Sequence, residues 1–589
     1  MKGFDYRMAT RRRNSDSHFA TVPSANIPRS AFNRSHTYKT AFDAGWLVPF
    51  YVDEILPGDT FNVRSTLFAR LATPIVPIMD NMYLDTFYFF VPYRLVWENW
   101  QRFNGEQDNP GDSTDYLVPV ARSGTDGFRE GDLADFFGLP VGVSNLEVSA
   151  LPFRAYSLIY NEWFRDQNFN NSHYSPKDDG PDVVTYYGGN VSSHYLLKRN
   201  KRHDYFTSAL PWPQKGPGVE IPIGTTANIT GTSPVIGNGR ALGLTNGTDN
   251  FGLTAHYGVI TNSGTGAQSA TYNDTFFNRA GFNVNQGTVL LDTANINNQL
   301  PASSQNRAVG VTNQPAQSGL IVNFNSAAST AQVNLETATA VTINALRQAF
   351  QVQRLYERDA RGGTRYTEIL RAHFGVVSPD ARLQRPEYLG GSSARINVNP
   401  IAQTSSTDGS TPQGNLAAFG LVADHKGGFV KSFVEHGVVI GILNVRADYT
   451  YQQGINRMWS RQTRFDFYWP ALAHLGEQAI LNKEIYAQGT SVDDDVFGYQ
   501  ERWAEYRYYP GQITGKMRST ASQSLDVWHL AQRFNSLPTL SQQFLYEDPP
   551  VDRIIAVPSE PHFILDAYID MRCVRPMPVY SVPGLIDHF

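Results

Sequence analysis

Cysteine is almost absent: Cys573 is the single thiol in 589 residues. One thiol excludes an internal disulfide framework and any zinc site built on cysteines, so burial and subunit contact must hold the fold. Charge is also scarce, at 17% Asp, Glu, Lys and Arg. Long apolar runs are missing, and the longest, 438–443, is about a third of the ~20 residues that a membrane-spanning helix needs. Residues 1–16 are polar and arginine-rich with no apolar stretch behind them, unlike a secretory signal.

Catalytic signatures are missing as well. The phosphate-binding pattern G-x-x-x-x-G-K-[ST], the nucleophile elbow G-x-S-x-G and the zinc pattern H-E-x-x-H do not occur. Gly237, Gly239 and Gly243 have the wrong spacing for a dinucleotide turn. His474 and Glu477, three apart on an expected helix, would supply half of a metal site without a second pair. Glu435 and His436, read as strand neighbours, would point to opposite faces. The run Asp493, Asp494, Asp495 offers carboxylates for a divalent ion between subunits, against the simpler reading of a solvated loop. Asp566 and Asp570 share a strand face about 13 Å apart, too far for a glycosidase pair. The sequence therefore calls for no enzyme, no cofactor and no metal.

Aromatic residues are plentiful, at 13%, and so are glycine (48) and proline (34), a mix that suits many strands joined by long turn-rich loops. Strands are expected at 46–52 and 61–71, an antiparallel pair around the turn Pro57-Gly58-Asp59. In the second, Phe61, Val63, Leu67, Ala69 and Leu71 alternate with Asn62, Arg64, Thr66 and Arg70, the period-2 pattern of a strand with one wet face. Further strands are expected at 84–91, 438–445 and 563–573. Helices are expected at 94–103, at 153–167 behind Pro152, and at 341–361, where Ala345, Ala349, Val352 and Tyr356 share a face and Gly362-Gly363 is the stop. The residues 217–334 differ in kind: Gly, Ser, Thr, Asn, Ala and Gln dominate, lysine is absent, and short apolar pieces such as 289–291 and 321–322 suggest a small β-rich lobe rather than disorder.

The net charge of −5 divides unevenly. Residues 1–40 carry eight basic side chains against two acidic ones, a net of +6, which leaves −11 on the rest. A basic arm on an acidic body, Arg11, Arg12 and Arg13 foremost, can reach a polyanion through counterion release; the alternative is a solvated terminus with no partner. A second cluster, Lys198, Arg199, Lys201, Arg202 and His203, precedes Tyr205 and Phe206 and has the charge and stacking groups that single-stranded DNA uses. Its alternative is a surface loop that neutralises neighbouring acids.

Specific stretches go further. Arg34-Ser-His-Thr-Tyr-Lys-Thr40, the run from Val52 to Thr60, Phe89-Phe-Val-Pro-Tyr-Arg-Leu-Val-Trp97, Tyr160-Asn-Glu-Trp-Phe-Arg-Asp-Gln-Asn168 and the run from Lys201 to Lys215 resemble the major capsid proteins of gokushoviruses, in the microvirus family. Arg457-Met-Trp-Ser-Arg461, Phe467-Tyr-Trp-Pro-Ala-Leu-Ala-His474, Asn482-Lys-Glu-Ile-Tyr-Ala-Gln-Gly489 and the last fifteen residues, 575–589, resemble them still more closely. The likeness covers 30–216 and 340–589 and fails over the polar insertion.

The resemblance implies a mainly β fold, an eight-stranded antiparallel jelly-roll barrel with long insertion loops and a few packing helices. On that reading 1–45 is a basic arm, 46–216 and 335–589 are the two parts of the barrel, and 217–334 is a surface protrusion. It also implies self-assembly into a sixty-copy T=1 icosahedral shell around a single-stranded DNA genome. The implied partners are a small basic internal protein, a pilot protein and a host cell-surface receptor. The implied place is the virion, assembled in the host bacterial cytoplasm. A trimeric spike or tail fibre would share the strand-rich, enzymatically silent character but should carry repeats, and none is visible. A secreted polysaccharide-degrading β-protein should carry a signal peptide and a carboxylate pair.

Overall fold

The computed structural model describes residues 28–186, 192–219, 343–377, 379, 383–405 and 412–580, with the strand segments 243–245, 250–252, 259–262, 268–271 and 321–323. Two compact units emerge, one from 1–219 with 351–589 and the other from 220–350.

The first unit is built on two antiparallel sheets. Its strands are β1 (Ser30–Asn33), β2 (His36–Phe42), β3 (Val48–Ile55), β4 (Thr60–Leu71), β5 (Met82–Pro92), β6 (Glu387–Arg395), β7 (Asn397–Ala402), β8 (Leu416–Ser432), β9 (Gly437–Ala447) and β10 (Phe563–Arg575). One sheet runs β1-β10-β4-β8-β7, with β2 also on β10; the other runs β6-β5-β9-β3. The sheets share no ladder and do not close into one barrel.

The period-2 pattern decides which face turns inward. Along β4 the buried side chains are Phe61, Val63, Ser65, Leu67, Ala69 and Leu71; along β10 they are Phe563, Leu565, Ala567, Ile569, Met571 and Cys573. The register sets Ala567 opposite Leu67 and Met571 opposite Val63, so both apolar rows lie on one face. That face meets the second sheet: Tyr88 of β5 packs on Phe429 of β8 with ring centroids 5.3 Å apart, and Phe433 packs on Phe61 and on Phe90. Every residue of β9 is buried, because the far side of its sheet is also covered. Helix Leu151–Ile159 lies there, with the Tyr156 hydroxyl donating to the Leu47 carbonyl at 2.8 Å. Phe164 meets Phe87 and Phe89 on the same side.

Several expectations need correction. The strands 48–55 and 60–71 do not pair with each other: β3 pairs with β9, and β4 pairs with β8 and β10. The turn between them crosses from one sheet to the other. Gly58 takes φ +93°, and the buried Asp59 carboxylate accepts from the Leu56 amide at 2.9 Å. Residues 30–42, expected within the basic arm, form β1 and β2 on the edge of β10. The 94–103 helix reduces to a turn at Tyr93–Leu95 and one helical turn at Trp100–Phe103, held by packing among Tyr93, Trp97, Trp100 and Phe103. The 153–167 helix is Leu151–Ile159, with Pro152 in its first turn, and continues as a wider turn through Tyr160–Phe164.

The third helix, Ile343–Gly362, has Ala345, Ala349, Val352 and Tyr356 on its less exposed face. Among the described residues, no helix is long and apolar enough to cross a membrane. In the second unit, Gly243–Thr245 pairs with Asn250–Gly252 and with Ile321–Asn323, and Val259–Asn262 pairs with Gln268–Thr271. The apolar piece 289–291 lies outside the described residues.

Candidate assembly surface and basic cleft

A second, smaller core sits beneath the loops 199–215 and 449–546, built on Tyr205, Phe206, Tyr451, Ile480, Ile485 and Phe544. The basic segment 198–203 runs across its rim as extended chain. Arg199 N donates to Gly45 O at 2.8 Å, Lys201 N to Leu545 O at 2.7 Å, and Glu547 N to Arg199 O at 2.7 Å. The five side chains do not share one surface. Lys198 Nζ reaches Asp548 at 2.8 Å, and Arg199 Nη1 reaches Asp85 at 2.7 Å. Lys201 is buried between the Tyr449 and Phe544 rings and donates to Gln532 Oε1 at 3.0 Å. Burial pushes its ammonium down to about 8, against the pull of Glu547. Burial likewise pushes the Glu547 carboxyl up to about 7. Arg202 and His203 alone of the five are exposed. Arg11, Arg12 and Arg13 lie outside the described residues.

The exposed pair borders a cleft of about 410 Å³. Phe87, Phe89, Trp163, Phe164 and Tyr388 form its aromatic wall, and Arg165 and Arg365 stand at one side.

Sequence reasoning missed a buried polar network beside helix Leu151–Ile159. Arg154, wholly enclosed, grips Asp182 with two donors at 2.7 Å each; His194 Nε2 lies 3.0 Å from the same carboxylate, and His194 Nδ1 lies 2.9 Å from Ser157 Oγ. Ser, His and Asp in this order of contact form the relay of a nucleophilic enzyme. All three side chains are buried, however, so a substrate carbonyl has no approach to Ser157, and Asp182 already carries a guanidinium. Burial alone would raise Asp182, but the hydrogen bonds from Arg154 and His194 outweigh it and hold it below 3.8. Burial lowers His194 from 6.5, so its ring is neutral at pH 7. The network is a fold-holding ion pair. Its one signal in the sequence was a lone arginine inside an apolar helix.

The metal candidates resolve locally. Glu477 opens a strand, Glu477–Leu481, and His474 lies in the turn before it, so the two share no helix face. Glu477 pairs with Arg361. Glu435 and His436 lie in the turn after β8 rather than in a strand, with Glu435 on Arg94 at 2.5 Å. Asp493 is buried and accepts from the Gln488 and Gly489 amides, while Asp494 meets Lys483 at 2.6 Å. No cluster of three His, Cys, Asp or Glu able to hold a metal occurs among the described residues.

The residues 455–475 form an exposed aromatic belt on three short 3-10 turns, Arg457–Ser460, Arg464–Asp466 and Pro470–Leu472. Trp459 is 73% exposed and Phe465 64%, with Phe467, Tyr468 and Trp469 also open to solvent. Arg461 lies over Tyr506 at 4.1 Å and Arg464 over Trp469 at 4.8 Å. Aromatic and arginine side chains in this density are the composition of interface hot spots, not of a solvated monomer surface.

The capsid protein (F protein) family model matches residues 20–585. The chain is 48% identical to capsid protein VP1 of Bdellovibrio phage phiMH2K, across 98% of this chain and 99% of that one. It is 45% identical to capsid protein VP1 of Chlamydia phage 1 and 38% identical to that of Spiroplasma virus 4, each across 96% of this chain and 97% of the relative. With two antiparallel sheets, a sealed polar network and an exposed aromatic belt already pointing to a structural subunit, the match over nearly the whole length is decisive: the chain belongs to the capsid protein (F protein) family and, within it, to the gokushovirus major capsid proteins.

Proposed function

We propose that the chain is the repeating unit of a T=1 icosahedral shell of sixty copies that encloses a single-stranded DNA genome. The observation that carries this reading is the family match across 20–585, together with the exposed belt at 455–475 that a second copy would cover. The two four-stranded arrays β2-β10-β4-β8 and β6-β5-β9-β3 pair early strands with late ones, as an eight-stranded jelly roll requires, and they support that description of the subunit. In closed symmetry each copy meets several neighbours, so weak contacts multiply into a stable particle.

The remaining assignments follow from the same reading. The segment 217–334 is the surface protrusion and the host-attachment element, turned to a cell-surface receptor. Arg11, Arg12 and Arg13, with Arg202 and His203, are the basic groups left to meet phosphate on the inner surface; Lys198, Arg199 and Lys201 are largely taken up within the chain. A small basic internal protein and a pilot protein complete the particle, which forms in the host bacterial cytoplasm.

The test is electron microscopy and sedimentation of the full chain, expressed alone and then with its partner phage proteins. Uniform closed particles with protrusions are expected. A soluble trimer as the end state under both conditions would refute the shell and favour a spike.

A further inference from the structure

Arg165, half-buried, lines the cleft just after the turn Tyr160–Phe164. Its Nε is buried and has no hydrogen-bond partner, although Nη1 donates to the Asn170 carbonyl at 2.9 Å. A second guanidinium, Arg365, lies beside it, and burial together with that like charge pushes Arg165 below its usual range. Arg365 has its own acids, Glu162 at 3.1 Å and Glu368 at 2.9 Å. Arg165 has no carboxylate bridged to it among the described residues. A half-buried guanidinium whose enclosed Nε is idle and whose neighbour is positive is relieved by an anion.

Across the same cleft the wall is aromatic. Trp163 and Tyr388 are 39% and 44% exposed, with ring centroids 6.0 Å apart, and each packs on Phe89 behind. The Arg385 guanidinium lies over the Trp163 ring at 4.8 Å, and the ring area left exposed on Trp163 and Tyr388 offers flat surface at little ordering cost. At the mouth, Arg202 and His203 are exposed, and their side chains meet no partner among the described residues. The one acid in the lining, Asp166, is occupied by the Asn168 amide at 2.8 Å. A basic peptide would meet like charge here, and a divalent cation would find a single carboxylate. The cleft volume of about 410 Å³ falls within the ~300–1,000 Å³ of small-ligand sites.

We propose that this cleft takes one nucleotide of single-stranded DNA, its base against the Trp163 and Tyr388 rings and its phosphate on Arg165, Arg202 and His203. Flat ring surface plus unpaired cations is the combination by which proteins hold single strands without reading sequence. The inference rests on the DNA-enclosing reading above and adds to it an anchoring point on the body of the subunit, separate from the arm.

The experiment uses purified full-length chain and a short oligothymidylate carrying 5-iododeoxyuridine. Binding is followed by fluorescence anisotropy across a salt series, and photocrosslinks are mapped by mass spectrometry. Crosslinks at Phe89, Trp163 or Tyr388 are expected. Trp163→Leu should weaken binding about 5- to 150-fold, the range of one lost base stack. Arg202→Glu, at an exposed side chain whose loss leaves the fold intact, should weaken binding and lower the slope of log affinity against log salt by about 1 or more. If both variants bind as the parent does and crosslinks map only to residues 1–45, the DNA reading stands and the cleft assignment is overturned. If the full chain binds no oligonucleotide even at low salt, both fall together.

Discussion

Replacing Arg154 by methionine should be among the most damaging single changes in the subunit, although Arg154 touches neither solvent nor any proposed partner. Its guanidinium supplies two 2.7 Å bonds to Asp182, a 2.7 Å bond to the Asp178 carbonyl and a 3.3 Å bond to the Val96 carbonyl. Methionine fills much of the volume but leaves Asp182 a buried carboxylate facing only a neutral His194. Breaking one side of a buried pair costs about 3–5 kcal/mol, whereas replacing both sides by apolar groups is often close to neutral. The Arg154→Met variant should therefore lose about 3–5 kcal/mol in urea unfolding at pH 7, and Arg154→Met with Asp182→Leu should recover a large part of it.

The pH dependence has a fixed sign. In the parent, Asp182 titrates below 3.8 when folded, so its contribution is complete above that value and fades as pH falls through the folded one. Without Arg154, burial drives the Asp182 carboxyl up, so the variant recovers stability as it takes a proton, and the gap between parent and variant should begin to narrow above pH 3.8 and go on narrowing below it. A loss under 1 kcal/mol at pH 7, or a gap that does not change with pH, would refute this account of the network.

Glu547→Gln keeps an acceptor for the Ala447 amide and the Tyr449 hydroxyl but cannot ionise. Because burial raises the Glu547 carboxyl from 4.5 to about 7, the folded parent binds the extra proton and loses stability as pH rises through that window. The variant's melting temperature should be flatter between pH 4.5 and 7, and an unchanged profile would discount the shift. Gly428→Ala places a methyl group well inside contact distance of the Val63 carbonyl, at a φ of +145° beside the Asp424/Gly427 irregularity, and should cost about 1–3 kcal/mol or abolish soluble expression. Trp459→Ala, at a 73% exposed site, should change subunit stability by less than about 0.5 kcal/mol and yet raise the concentration needed for assembly, read by light scattering, about tenfold or more. Unimpaired assembly would remove the belt from the interface.

The sandwich strands were legible where one face is wet and one dry. The alternation in 61–71 and 563–573 needs no partner to be recognised, and the structure keeps it residue for residue. Pairing was not legible, because β4 finds its partners hundreds of residues away while the neighbouring β3 belongs to the other sheet. The basic cluster was read as one patch because sequence proximity suggests a shared surface. Acceptors from distant segments, Asp548, Asp85 and Gln532, take up Lys198, Arg199 and Lys201 instead, leaving only Arg202 and His203 of the five exposed. The cleft depended on Trp163, Arg365 and Tyr388 converging from a helix end, a loop and β6, a coincidence no local pattern records.

The distribution of burial also limits where a second copy can attach. The sheet β6-β5-β9-β3 is covered on one face by the other sheet and on the opposite face by helix Leu151–Ile159 and the aromatic residues around it, so little of it remains to be shared. Among the described residues, nothing covers the outer face of the first sheet, which carries Phe68, Val430, Ile564 and Tyr568 among Arg64, Arg70, Asp566 and Asp570. Mixed apolar and charged side chains on a flat face give contacts that are individually modest and specific in register. The 455–475 belt is denser in exposed aromatics, with Arg461 held beneath it on Glu505, the composition expected of the stronger of the two surfaces. A subunit with one strong and one moderate surface can add to a growing shell through the first and correct its placement through the second, which a uniformly adhesive surface would not permit.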